Sequence, residues 1–99
     1  MVADVTREED AKNIIEQTIS KFGRLDVLVN NAGGTLLTPI EDPTSIQNFD
    51  KLHALDVRSV VHLTLLSVPH LVKTKGNVIN ISSLCAQRPV SFQMILIIF

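Results

Sequence analysis

Leu25-Asp26-Val27-Leu28-Val29-Asn30-Asn31-Ala32-Gly33-Gly34 is the stretch that decides the fold. It is a short apolar run rich in β-branched residues, stopped abruptly by polar and small ones. Near-continuous apolarity, without alternation, predicts a strand covered on both faces, as in a parallel sheet. Downstream, Asn77-Val78-Ile79-Asn80-Ile81 repeats the pattern and leads into Ser82-Ser83. Between the two lie a loop from Thr35 to Pro43, with two prolines, and a long helical pattern. Thr44 or Ser45 can serve as its N-cap, and the pattern runs to about Val72. Its apolar positions wrap more than one face, and Pro69 should kink or end it late. Lys73-Thr74-Lys75-Gly76 makes the turn into the second run.

Upstream, Thr6 followed three residues later by Glu9 forms a candidate capping box. Ala11, Ile14, Ile15, Thr18, Ile19 and Phe22 then fall at helical spacing, and Gly23 is placed to cap the C-terminus. Val2 to Val5 suggests the stub of an earlier strand. Helix, strand, helix, strand in alternation argues for an α/β protein with βαβ units on a parallel sheet.

The 99 residues, 10.9 kDa in mass, allow one small domain, since a second core would not fit. Nine Lys and Arg against ten Asp and Glu leave a net charge of −1. Such a balance provides no electrostatic footprint for nucleic acid or an acidic membrane surface. No unbroken apolar run reaches the roughly 18–20 residues of a membrane span, and the first residues lack the pattern of a secretory signal. One cysteine, Cys85, excludes an internal disulfide framework and reads as a small apolar filler. A cytoplasmic setting is the default expectation. His53, His62 and His70 are spaced nine and eight apart, which is not the i, i+4 spacing of paired metal ligands, so no metal is expected. Residues 89–99 end in six apolar residues, Met94 to Phe99. They are either an extra buried strand or, the preferred reading, a divergent tail foreign to residues 1–88. A terminal segment of this kind is also an aggregation hazard.

Leu28 to Gly33, directly after an aspartate-led strand, resembles the Asn-Asn-Ala-Gly motif of the short-chain dehydrogenase/reductase family. Four further stretches resemble the family in its order and approximate spacing. They are Asp4-Val5-Thr6, Gly23-Arg24-Leu25-Asp26, Leu55-Asp56-Val57-Arg58-Ser59-Val60, and Gly76 to Ser83. The resemblance implies the central βαβ units of a Rossmann-type, doubly wound parallel sheet, where ligands bind outside the carboxyl ends of the strands. It implies NAD or NADP as cofactor and a small alcohol or carbonyl compound as substrate. Asn31, Ala32 and Gly33 would line the adenosine ribose, with Asp4 and Val5 flanking the adenine and Asp4 accepting from its amine. Asn30 would tie neighbouring strands together. Ser83 matches the catalytic serine. Asp56 stands at the position of a mid-helix asparagine that holds a water in a proton relay; an aspartate there adds a charge.

Two parts of the family pattern are not present. The chain contains no tyrosine, whereas the family's proton-transferring Tyr is expected near Ile95 to Ile97 and its lysine beyond. The glycine-rich turn that binds the pyrophosphate is expected before Asp4. These differences suggest a truncated chain, inactive as written and marginally stable, partly unfolded or oligomeric alone. The alternatives are a non-catalytic partner that associates with a full-length relative through helix 45–72, and an incomplete gene product.

Overall fold

In the computed structural model, the structure describes residues 1–36, 38, 39, 41–84 and 87. Helix α1 (Glu8–Phe22) is followed by strand β1 (Val27–Asn30), helix α2 (Ser45–His53), helix α3 (Ser59–Thr74) and strand β2 (Asn77–Asn80). A single π-helical turn, Ala54–Arg58, joins α2 to α3 without a break in the helical run. Strands β1 and β2 pair in parallel, Val27 opposite Asn77 through to Asn30 opposite Asn80. The expected βαβ arrangement is therefore present, with α2 and α3 as its crossover.

Helix α1 forms where the apolar spacing places it, but it is not capped as expected. The Thr6 hydroxyl and backbone N–H both donate to Asp4 Oδ1, at 2.7 and 2.9 Å. That local turn takes the hydroxyl a capping box would need, so α1 starts at Glu8 with no side-chain cap. The same device precedes α2, where the Thr44 hydroxyl and N–H donate to Asp42 Oδ1. At the far end of α1, Gly23 adopts φ 74° and its N–H donates to Ile19 O at 2.8 Å, the expected cap.

Two further expectations about the elements are corrected. Residues 2–5 form no strand, and among the described residues the sheet has two strands. Of the two outcomes expected at Pro69, a kink or a late end, the end does not occur there, and the helix continues to Thr74. Pro69 and Leu65 are both exposed, so the i→i−4 bond lost there falls on the solvated side. The run Ser45–Thr74 is also long and apolar enough, by length and composition only, to cross a membrane. Ser59, Thr64 and Ser67 interrupt its apolar residues without adding charge, which hides this from a count of unbroken runs. The core helix of a soluble protein passes the same test.

Helix α3 packs on α1 and on both strands. Ala11 and Ile15 of α1, Leu28 of β1, and Leu63 and Leu71 of α3 form the buried cluster, with Val5, Ile14, Ile19, Leu25 and Leu66 around it. Among the described residues, helices cover only this face of the sheet. Val27, Val29 and Ile79, on the other face by strand alternation, are exposed, so the expected burial on both faces is not met by the described residues. The entry to β2 is tightly built. Lys75 takes the left-handed conformation at φ 55° to close α3. A Cβ on Gly76 would then collide with the backbone carbonyl of Asp26, which itself accepts the Asn77 N–H at 3.0 Å. Glycine is required there by the close approach of β1. The tail beyond residue 88 and Cys85 lie outside the described residues.

Candidate functional site

Because the strands are parallel and in register, their carboxyl ends lie side by side. Asn30 and Asn80 form the last pair, and the Ile81 N–H extends the ladder by donating to Asn30 O at 3.0 Å. From these ends emerge Asn31-Ala32-Gly33-Gly34 on one side and Ser82-Ser83 on the other. The three residues that the resemblance assigns to the ribose and the candidate serine thus leave the same end of the sheet. Asn31, Ala32, Gly33 and Ser83 are all exposed.

The buried Asn30 amide fastens this end. Its Nδ2 donates to Asn80 Oδ1 at 2.8 Å and to Thr64 Oγ1 of α3 at 3.3 Å, joining both strands to the crossover helix. This is the strand-tying role expected of it. Asn30 Oδ1 is buried and has no donor among the described residues.

Asp56 lies in the π-turn, a local widening of the helix that is often found at functional sites. Its Oδ1 accepts the backbone N–H of Gly34 at 2.9 Å. A Cβ on Gly33 would come within 3.2 Å of the same oxygen, and one on Gly34 within 3.1 Å of Leu55 Cδ2. The helix therefore seats directly on the two glycines after β1. The Ser59 hydroxyl bonds back to Leu55 O across the end of the π-turn. Sequence reading singles out Asp56 and the glycines separately. Their contact across 22 residues has no local signal.

Asp4 and Val5 stand at the entrance to α1. Val5 packs against the buried cluster that α1, β1 and α3 share. The Asp4 carboxyl is held below its usual range by the Thr6 hydroxyl and N–H that donate to it, with the charge of Arg7 adding to the effect. Among the described residues its hydrogen bonds stay within its own segment, to Thr6, Arg7 and Asp10, and none reaches the loop after β1. No group of three or more metal-binding side chains occurs among the described residues.

This arrangement can hold an extended ligand across the strand ends, where small residues let a backbone approach it closely. The family description "short chain dehydrogenase" matches residues 1–95 of the chain. L-fucose dehydrogenase of Bos taurus is 49% identical over 84 residues, covering 85% of this chain and 31% of that protein. A 7α-hydroxysteroid dehydrogenase solved with NADH and 7-oxo glycochenodeoxycholic acid superposes with a TM-score of 0.81 at 34% identity, covering 89% of this chain and 34% of the other. A Caenorhabditis elegans short-chain dehydrogenase/reductase solved with cofactor gives 0.83 at 37% identity, covering 94% and 35%. The chain thus spans about a third of the length of the proteins it matches. The parallel strand ends, the Asn-Asn-Ala-Gly turn and these likenesses agree, and the chain belongs to the short-chain dehydrogenase family.

Proposed function

We propose that this chain supplies the middle, nucleotide-facing part of an NAD- or NADP-dependent oxidoreductase that interconverts a secondary alcohol and its carbonyl. The observation that carries the reading is the side-by-side exit of Asn31-Ala32-Gly33 and Ser83 from two parallel strands in register. The residues fit a dinucleotide in one specific respect. The loop after β1 has no bulky side chain over residues 32–34, and its glycines sit hard against the π-turn. Asn31, Ala32 and Gly33 line the ribose in this reading, Asp4 and Val5 flank the adenine, and Ser83 hydrogen-bonds the substrate oxygen. When bound, the nicotinamide supplies the hydride chemistry. A sugar or steroid alcohol, as the names of the relatives carry, suits the substrate class. Without a tyrosine to move the proton, the 99-residue chain itself binds but does not turn over.

The test is an NMR titration of the chain with NADH and NADPH at millimolar concentration. Shifts at the amides of Asn31, Ala32 and Gly33 are expected, with no consumption of reduced cofactor in the presence of a ketone or an aldehyde. Unchanged amides at those residues with both nucleotides would overturn the reading.

A second reading, association with another copy or with a relative through the long helix, has its own supporting observation. Val61, Leu65, Val68 and Val72 recur at i, i+4, i+7, i+11 spacing on α3 and are all exposed.

A further inference from the structure

We propose that the end of the fold opposite the strand carboxyl ends is a docking surface for an extended acidic segment of a partner protein, held by Lys21, Lys73 and Lys75 around Phe22. Docking here requires no bound dinucleotide. Helices α1 and α3 run in the same direction. At one end Glu8 pairs with Arg58. At the other the Thr74 hydroxyl donates to Leu25 O at 2.7 Å, just beyond the Gly23 cap of α1. The Asn77 N–H, bonded to Asp26 O at 3.0 Å, closes the same junction. The last turns of both helices and the starts of both strands therefore meet, and Lys21, Arg24, Lys73 and Lys75 gather there.

Little offsets these cations. Asp26 is the only Asp or Glu in residues 17–30 and 57–80. Its carboxylate is taken by Arg24, whose Nε and Nη2 donate to it at 2.6–3.1 Å. Lys21, Lys73 and Lys75 are exposed, and none has an ion pair among the described residues. A helix C-terminus carries about half a negative unit charge, so the ends of α1 and α3 offset about one of these three lysines. The dipole does not account for a lysine as the cap itself. Lys75 holds φ 55° and ψ 40°, a conformation in which glycine or asparagine is favoured. A strained backbone that keeps a lysine in place points to a use for its charge. Phe22 is 66% exposed, with Lys21 Nζ 5.4 Å from its ring centre, so the patch offers an apolar contact beside its cations. Lysines present point charges, which suit separate carboxylates along an extended acidic chain. The other nine of the ten Asp and Glu lie elsewhere on the chain, where they repel a polyphosphate backbone running past this end.

The experiment is fluorescence anisotropy of a labelled oligoglutamate peptide with one central phenylalanine, titrated with the full chain at low salt. Saturable binding is expected, weakening about tenfold toward physiological salt. Lys73→Gln and Lys75→Gln should each weaken it about two- to fivefold. Lys12→Gln, nearer the start of α1, should leave it unchanged. Lys75→Gly separates docking from a structural role. Glycine suits the backbone there, so this variant should melt no earlier than the unaltered chain and still bind the peptide more weakly. Earlier melting of Lys75→Gly would show that the lysine serves the fold and would overturn the proposal. So would an absence of saturable binding, or binding that is indifferent to Lys73→Gln and Lys75→Gln together. Single-stranded oligothymidylate and phosphatidylserine vesicles are titrated alongside. Tighter binding of either than of the peptide would give the surface to a nucleic acid or a membrane and overturn it too.

Discussion

Asn30 of β1 donates from its amide to Asn80 of β2 at 2.8 Å, side chain to side chain, at the final pair of the parallel ladder. Asn30 is 6% exposed, so this bond stands largely out of water, where an unpaired donor is costly. Replacing Asn30 with Leu removes the link to Asn80 and the one to Thr64 together, and is expected to cost about 1–3 kcal/mol. Asn80→Ala leaves the Asn30 amide with Thr64 alone and should cost about 1 kcal/mol. The two losses should not add, since they share one bond. Urea denaturation of both single variants and the double variant checks this. Additive losses would mean that the pair contributes nothing.

This amide pair also shows what is legible in the sequence. Asn30 and Asn80 each end an apolar run, and the runs themselves announce parallel strands. The helix from Ala11 to Phe22 and its glycine cap are equally plain, because they depend on neighbours within four residues. Thr6 departs from its expected role for a related reason. Its hydroxyl has two local partners within reach, and the Asp4 turn wins over the cap. The π-turn is invisible because apolar residues from Phe49 to Leu71 wrap more than one face and give no single phase from which to depart. The partnership of Asp56 with Gly34 spans half the helix and a loop, and no local pattern encodes it. Burial of the sheet's second face is expected from the composition of the strands. The described residues provide cover on the α1 and α3 side only.

Glu8 at the start of α1 pairs with Arg58 at the end of the π-turn, linking the first helix to the segment that holds Asp56. The Arg58 guanidinium lowers the Glu8 carboxyl below its ordinary 4.5 by hydrogen bond and charge, with His62 adding a smaller attraction. A carboxyl depressed in the folded state adds stability above its unfolded value and loses it as pH falls through the folded one. The urea midpoint is therefore expected to hold above about pH 5 and to drop below it. Asp4, Asp26 and Asp42 are depressed by their own partners and contribute to the same fall. Glu8→Gln should remove the share of Glu8 and leave the rest. Both members of the pair are exposed, so high salt should shrink the effect. An identical acid profile for Glu8→Gln at low salt would show that the pair does not stabilise the fold.

The two sides of α3 make opposite predictions for neighbouring leucines. Leu63 is 7% exposed and packs in the cluster with Ala11, Ile15, Leu28 and Leu71, so Leu63→Ala should destabilise the chain by about 2–5 kcal/mol. Leu65, two residues on, is 70% exposed and takes no part in that cluster. Leu65→Lys should therefore change the stability of a monomer by no more than about 0.5 kcal/mol. From Ser59 to Val72 the helix has no Asp, Glu, Lys or Arg, so nothing charged interrupts the stripe of Val61, Leu65, Val68 and Val72. A two-fold axis would set that stripe against itself, and a lysine at its centre would then be buried against another lysine. Sedimentation velocity over a range of concentrations separates the cases. Association through α3 predicts that the unaltered chain sediments faster as concentration rises and that Leu65→Lys abolishes this while its circular dichroism is unchanged. A chain that stays monomeric throughout, or a Leu65→Lys variant that associates as before, would rule α3 out as the contact.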